Sequence, residues 1–188
     1  MKKVIILNGP AGCGKDTLAG IIAELVSVDI HSNKVPLFEV ARAMLGETNY
    51  NKFIRLYNDR ETKERPASIL GGMSPRKFFI HLSESVIKPI FGQLHFGQLL
   101  ADRVERSHSH AVVSDGGFPD EVRPLIEAGF DVYVVRLHSH GYDFAGDSRG
   151  YIHLPALLSL RNYHEIDFHQ ERGEPINDAL KLVKEIFK

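Results

Sequence analysis

Several things are scarce in this sequence, and each absence excludes something. Among 188 residues there is one cysteine, Cys13, so no disulfide can form within the chain, and a reducing cytoplasm suits it. Neither sign of charge is in excess: 23 Lys and Arg stand against 24 Asp and Glu, a net charge of −1. A dedicated nucleic-acid binder would carry a basic surplus, so nucleic acid is not an expected partner. Long apolar runs are missing as well. Val4 to Leu7 is far short of the roughly 20 residues that cross a bilayer. The basic start Met1-Lys2-Lys3 is not followed by the apolar stretch and small-residue cleavage site of a secretory signal. No membrane is expected, and the expected compartment is the cytoplasm.

What remains is an ordinary globular composition, 43% hydrophobic and 25% charged. The length favours one domain. It also allows about 70% of the unfolded surface to be buried, so stability requires neither a disulfide nor a structural metal.

Hydrophobic periodicity divides the chain into alternating strands and helices. Val4-Ile5-Ile6-Leu7 stops at Asn8-Gly9-Pro10 and reads as a strand buried on both faces. Leu18, Ile21, Ile22, Leu25 and Val26 then recur at helical spacing, predicting a helix from Lys15 to Ser27. Val35 to Phe38 is expected as a second strand, with helices at Ala41–Leu45 and Asn51–Arg60. Thr62 to Pro75 reads as a loop, after which Ser74-Pro75 opens a helix with a serine cap and a proline in its first turn. Pro89 and Gly92 interrupt it, and Phe96, Leu99, Leu100 and Val104 predict another helix. Ala111–Val113 and Asp131–Leu137 read as strands, with a helix at Pro119–Ala128 between them. Ile166–Phe168 is a short strand candidate, and Ile176 to Phe187 a closing amphipathic helix. Strands alternating with helices imply a parallel sheet covered by helices on both faces.

The strongest local signal is Gly9-Pro10-Ala11-Gly12-Cys13-Gly14-Lys15. It matches G-x-x-x-x-G-K, and it lies between a strand and a helix, as a phosphate-binding loop requires. Glycines let the backbone curl so that successive N–H groups face phosphate oxygens. The following helix N-terminus adds partial positive charge, and Lys15 supplies a full one. The residue after the lysine is normally Ser or Thr, whose hydroxyl binds magnesium; here it is Asp16, with Thr17 next. A carboxylate can also hold a magnesium shell, directly or through water, and it complements the helix dipole in any case. Cys13 occupies a variable position of the loop and reads as a spacer rather than a nucleophile.

Other phosphate-loop classes fit poorly. Asn33-Lys34-Val35-Pro36 lacks the aspartate of the guanine motif N-K-x-D, and Asp143-Phe144-Ala145-Gly146 is a weak D-x-x-G that comes too late. Val112-Val113-Ser114-Asp115 has no glutamate after its aspartate to polarise water. Transfer to a bound acceptor is therefore favoured over hydrolysis.

The chain resembles the bacteriophage deoxynucleoside monophosphate kinases, a branch of the nucleoside monophosphate kinase-like P-loop enzymes. The resemblance runs over most of its length. It is carried by Gly14-Lys15-Asp16-Thr17, Lys63-Glu64-Arg65-Pro66, Ser74-Pro75-Arg76, Ser114-Asp115 with Phe118-Pro119-Asp120-Glu121, and Val134-Val135-Arg136. Gly117 and Asp120 stand where such enzymes carry an arginine and an asparagine. The resemblance implies a three-layer α/β P-loop NTPase fold, with a parallel sheet of about five strands flanked by helices. It implies one kinase domain with its core at 1–40, 108–137 and 163–188, a helical acceptor-binding insert at 41–107 and a lid at 138–162. The implied reaction moves the γ-phosphoryl group of magnesium-bound ATP to a nucleoside monophosphate. The alternatives are a kinase of another small phosphorylated acceptor and a non-catalytic nucleotide-binding protein.

Roles follow from that reading. Gly9, Ala11, Gly12, Cys13, Gly14, Lys15, Asp16 and Thr17 would hold the ATP phosphates. Lys63, Arg65, Arg76 and Asp115 would bind the acceptor, and Asp16 and Asp115 the magnesium shell. Lys15, Arg76, Asp115, Arg136 and Arg149 form the expected catalytic set, since guanidinium groups match phosphate oxygens bidentately. Arg136 lies in an apolar strand and needs a buried partner, for which phosphate is the expected one. Arg149 and Arg161 flank the lid. ATP and a nucleoside monophosphate are the expected partners; a homodimer is left open, and a phage protein would work in host cytoplasm. The pairs His108/His110 and His138/His140 have zinc-like spacing but no cysteine and no third ligand in sequence, so surface or capping roles are expected.

Asp16→Ser tests the departure inside the loop. ATP binding should become less dependent on magnesium in this variant, as read by titration calorimetry with and without the ion; an unchanged dependence contradicts the magnesium role.

Overall fold

The computed structural model describes residues 1–147, 149–171 and 173–188. Five strands form one parallel sheet: β1 (Lys3–Asn8), β2 (Val28–His31), β3 (His110–Gly116), β4 (Asp131–His138) and β5 (Tyr163–His169), in the order β2-β3-β1-β4-β5. The helices are α1 (Lys15–Leu25), α2 (Val35–Asn58), α3 (Pro75–Ile80), α4 (Lys88–Phe91), α5 (His95–Arg106), α6 (Pro119–Glu127) and α7 (Pro175–Ile186). The expected three-layer α/β architecture is what the chain adopts.

Period-two alternation along β1 separates the two outer layers. Val4 and Ile6 enter one apolar cluster with Leu100 and Val104 of α5 and Val122 and Leu125 of α6. Ile5 and Leu7 enter the other, with Leu18 and Ile22 of α1 and Leu182 and Ile186 of α7. The four residues Val4–Leu7 are at most 1% exposed, which is why this strand reads as an unbroken apolar run.

The chain forms two compact units, residues 1–33 with 96–188, and residues 34–95. The first contains the sheet. The second is helical and closes on an aromatic cluster. Phe53, fully buried, lies 5.2 Å from Phe79 and 5.7 Å from Phe78 between ring centroids, and Phe38 meets Phe79 at 4.7 Å in an edge-to-face arrangement. Such pairs add to the area their rings bury.

Several sequence expectations shift. Val35 to Phe38 is helix, not strand, because Pro36 sits in the first turn of α2, a favoured site for proline. The second strand is instead Val28–His31, an edge strand with only Val28 buried, so its apolar signal is weak. The helix expected to reach Ser27 stops at Leu25, where Val26 turns extended. The two helices expected at 41–45 and 51–60 belong to α2, which is broken at Gly46 (φ 67°, ψ 164°). Pro89, expected as a breaker, is preceded by a π-helical turn at His81–Ile87, where the Lys88 amide reaches back to the Ser83 carbonyl. A proline lacks the N–H of the ordinary ladder, and the wider turn accommodates the loss.

The helical compact unit spans 34–95, whereas the insert is expected at 41–107. Helix α2 begins at 35, and α5 places Leu100 and Val104 on the sheet. The segment expected as a lid is fastened at its far end, where Ile152 and Leu154 join the sheet's apolar cluster at 1% and 6% exposure. None of the described helices is long and apolar enough to cross a membrane.

Candidate active site

In this strand order the connections from β1 and β3 leave in opposite directions, toward β2 and toward β4. Ligands of open α/β sheets bind at such a switch point, beyond the carboxyl ends of the strands. Gly9 to Lys15 follows β1 there, and Asp115 is the penultimate residue of the neighbouring β3.

The loop has the backbone that its glycines allow. Gly12 and Gly14 take φ values of 83° and 87°, the left-handed region that side chains disfavour. Gly14 is also the N-cap of α1, where no side chain caps the helix, so the first-turn amides remain directed out of the helix end. Lys15 Nζ donates to the carbonyls of Gly9 at 2.8 Å and Pro10 at 2.6 Å, which keeps the ammonium at the loop. Burial lowers the Lys15 pKa below its ordinary value, and the Arg149 charge lowers it further. Cys13 is 5% exposed and belongs to the apolar cluster under the loop, in keeping with a spacer. Asp16 and Thr17 are exposed in the first turn.

Asp115 anchors the end of β2. Its Oδ1 accepts the Asn33 backbone N–H at 2.9 Å, and its Oδ2 accepts the Ser32 hydroxyl at 2.7 Å. Arg149, from the irregular segment after β4, is brought to the same edge. Its Nε and one Nη donate to Asp147 at 3.0 and 2.5 Å. That bond holds the guanidinium pKa above its ordinary value, with Glu121 and Asp115 favouring the charge as well.

Asn8 closes β1 and is fully buried. Its Nδ2 donates to the carbonyls of Gly116 at 3.2 Å and Gly150 at 3.1 Å, while its Oδ1 accepts the Ile152 N–H at 2.8 Å. Sequence reading treated Asn8 only as the end of a strand. The available signal was a carboxamide directly after four core residues, which must find partners or cost stability.

Arg136 has a different partner from the one expected. Rather than phosphate, it finds carboxylates on β5: Nε and Nη2 bind Asp167 at 2.9 and 2.6 Å, and Nη1 binds Glu165 at 2.7 Å. The strand register makes this unavoidable, because Arg136 sits directly opposite Asp167. Glu165, with its side chain 4% exposed, also accepts from Tyr163 Oη, the Leu154 amide and His153. Burial alone would raise its pKa, yet these donors and Arg136 together hold it below the ordinary value. Two of the paired histidines have local partners: His110 Nδ1 accepts the Lys3 N–H, and His138 Nε2 bonds Asp167. Arg161 is exposed.

The remaining basic candidates lie in the 34–95 unit, and two of the motifs meet there. The Arg76 amide donates to the Lys63 carbonyl at 3.2 Å, and the Arg76 guanidinium pairs with Glu64 at 3.5 Å. Lys63 Nζ lies 4.0 Å from the centroid of the Tyr57 ring, and Arg65 pairs with Glu61 at 3.4 Å. Ser74 caps α3 as expected, accepting the Lys77 amide at 3.3 Å. The same unit has an open depression of about 350 Å³ bordered by Phe38, Glu39, Arg42, Tyr50, Ile54 and Asn58, which no sequence pattern reveals.

Among the described residues no three His, Cys, Asp or Glu side chains cluster as a metal cage. Exposed Asp16 fits a place in the shell of magnesium arriving with nucleotide phosphates, which usually supply part of it, whereas Asp115 is buried with both carboxylate oxygens engaged by Asn33 and Ser32.

No protein-family model matches the sequence, and no curated protein matches it either. Solved structures align over nearly the whole chain at low similarity. A shikimate kinase from Bacteroides thetaiotaomicron aligns at 13% identity and TM-score 0.46, covering 100% of both chains. A gluconokinase from Sinorhizobium meliloti 1021 aligns at 15% identity and TM-score 0.46, covering 99% of this chain and 96% of its own. A dephospho-CoA kinase from Campylobacter jejuni aligns at 13% identity and TM-score 0.46, covering 98% and 97%. The case for function rests on this chain's own residues.

The carboxylates on β5 give a pH prediction. The Arg136 and His138 contacts pull the Asp167 pKa from 3.8 down to about 2. The stabilisation is therefore complete above the unfolded-state value and is lost as pH falls toward about 2. Asp167 is half exposed, so Asp167→Asn should cost less than about 1 kcal/mol at neutral pH, and the difference from wild type should vanish by about pH 2. Arg136→Ala strands the buried Glu165 carboxylate and should cost about 3 kcal/mol. Urea unfolding at stepped pH checks both; equal losses for the two variants would contradict the assignment.

Proposed function

We propose that this chain is a phosphotransferase that moves the γ-phosphoryl group of Mg·ATP to a (deoxy)nucleoside monophosphate, giving the diphosphate. The observation that carries the donor half is the loop: left-handed Gly12 and Gly14, the uncapped start of α1, and Lys15 held at the loop carbonyls. Backbone amides, helix dipole and ammonium together suit a polyphosphate. The acceptor half rests on the resemblance carried by Lys63 to Pro66 and Ser74 to Arg76, two motifs joined by the Arg76–Lys63 backbone bond. The open depression beside Phe38 and Tyr50, with Glu39 and Asn58 at its border, is the candidate seat for the acceptor's base.

Chemically little is asked of the protein beyond placement. An oxygen of the acceptor phosphate is already anionic, so no strong general base is needed. It bonds to the γ-phosphorus as the bond from that phosphorus to the β-bridging oxygen breaks, and ADP leaves. Charge spreads over the transferring group, and fixed cations stabilise it. Lys15 and Arg149 are the cations of the sheet edge assigned to this, and Arg76, in the helical unit, is assigned to acceptor binding on the resemblance alone. Asp16, exposed in the first turn of α1, would hold the water shell of a magnesium ion brought with ATP, whose charge would offset that of the phosphates. Arg136, engaged by Glu165 and Asp167, is assigned to holding β4 and β5 together.

The test is ADP release from Mg·ATP with each of the four common deoxynucleoside monophosphates and their ribose counterparts. Release that depends on an acceptor and falls about 100-fold or more in Lys15→Ala is the expected result. No acceptor-dependent release from any of them would overturn the reading, and would leave another small phosphorylated acceptor or a binding-only protein.

A further inference from the structure

We propose that Asn8 is a positioning residue whose buried carboxamide latches residues 150–152 to the end of β1 and thereby seats Arg149 over Gly117 at the carboxyl edge of the sheet. The proposal rests on the phosphoryl-transfer reading for its catalytic consequence and on hydrogen bonds alone for the latch.

Asn8 is 0% exposed and lies opposite Gly116 of β3 and Arg136 of β4. It follows four fully apolar core positions, where another apolar residue would satisfy the layer. A carboxamide offers two N–H donors and a carbonyl acceptor, and all three functions are used: two on the Gly116 and Gly150 carbonyls, one on the Ile152 amide. An aliphatic side chain here would take those partners from three backbone groups, each costly to leave buried and unpaired.

The grip on Gly150 is one residue from Arg149, and consecutive Cα atoms are only about 3.8 Å apart. Arg149 then lies across Gly117. A Cβ built on Gly117 would be 2.6 Å from Arg149 Cδ and 3.2 Å from its Cγ, so the arginine chain occupies the space that a side chain at 117 would fill. Asp147 fixes the head group through Nε and Nη2. A guanidinium has five N–H donors; among the described residues, Asp147 takes two of them and leaves a face for phosphate oxygens. Arg149 also lowers the Lys15 pKa and is itself favoured by Asp115, in keeping with a seat at this edge. Asn8 also directly precedes Gly9. One side chain therefore ties the strand end just after Asp115 to the segment that delivers Arg149.

A latch of this kind separates binding from transfer. The loop amides and Lys15 remain in Asn8→Ala, so Mg·ATP affinity by calorimetry should stay within about threefold of wild type, while kcat falls roughly 10- to 100-fold from misplacement of Arg149. Asn8→Ala combined with Arg149→Ala should be no slower than Arg149→Ala alone, because both remove the same cation from its seat. Additive losses, or ATP affinity falling in step with kcat, would overturn the proposal. The latch has a readout that needs neither turnover nor a variant that folds: in the wild-type protein the Ile152 amide should exchange with solvent as slowly as the amides of β1. Fast exchange at Ile152 overturns the latch outright. If no acceptor is turned over, the transfer reading fails separately, and the latch stands or falls on the slow Ile152 amide.

Discussion

The burial of β1 between two parallel neighbours is the constraint on which the rest of the molecule depends. Val4 to Leu7 are essentially without solvent contact, with β3 on one side and β4 on the other. The chain can leave this position only at the carboxyl edge, and it leaves through Gly9 into a loop whose backbone side chains would obstruct. Gly9 itself touches the end of β4: a Cβ there would meet Cys13 Sγ at 2.9 Å and Leu137 Cβ at 3.1 Å. The conformation of the Gly9–Lys15 loop is thus fixed by packing beneath it as much as by glycine freedom within it. Helix α1 is carried along, because Leu18 and Ile22 belong to the same apolar layer as Ile5 and Leu7.

Electrostatics at that edge sorts the cations into two kinds. Lys15 and Arg149 are held by groups that leave them at the loop, by carbonyls in one case and by Asp147 in the other. Arg136 is held on three sides by β5, and its partner Glu165 is too deeply buried to be left alone. The same residue type in the same edge region therefore serves two ends, and only the partner list separates them. An arginine whose carboxylates are opposite it in register is part of the sheet, whereas one that arrives on an irregular segment can face a ligand.

Much of this was legible in the sequence. The unbroken apolar run of β1, the glycine motif and the helical stripe after it specify strand, loop and helix, because each level of signal agrees. Ser74-Pro75 announced the start of α3 through ordinary capping chemistry. What stayed hidden was pairwise. The edge strand at Val28 buries one residue in four and so has almost no hydrophobic pattern, while Pro36 made a helix start resemble a strand. The partner of Arg136 depends on the register of β5, which no local pattern encodes. Asn8 looked like turn chemistry, and only the return of residues 150–152 to the sheet gives its carboxamide three partners. The Gly117 departure from the resembled family likewise acquires a physical meaning once Arg149 is seen lying over it.

If Gly9 to Lys15 cradles the phosphates of a nucleotide, backbone amide resonances report on that contact directly. In a titration with Mg·ATP, the Gly12, Cys13, Gly14 and Lys15 amides should move most, together with Arg149 and Gly150 beside them. Shifts confined to other parts of the chain, or none at saturating nucleotide, would contradict the account.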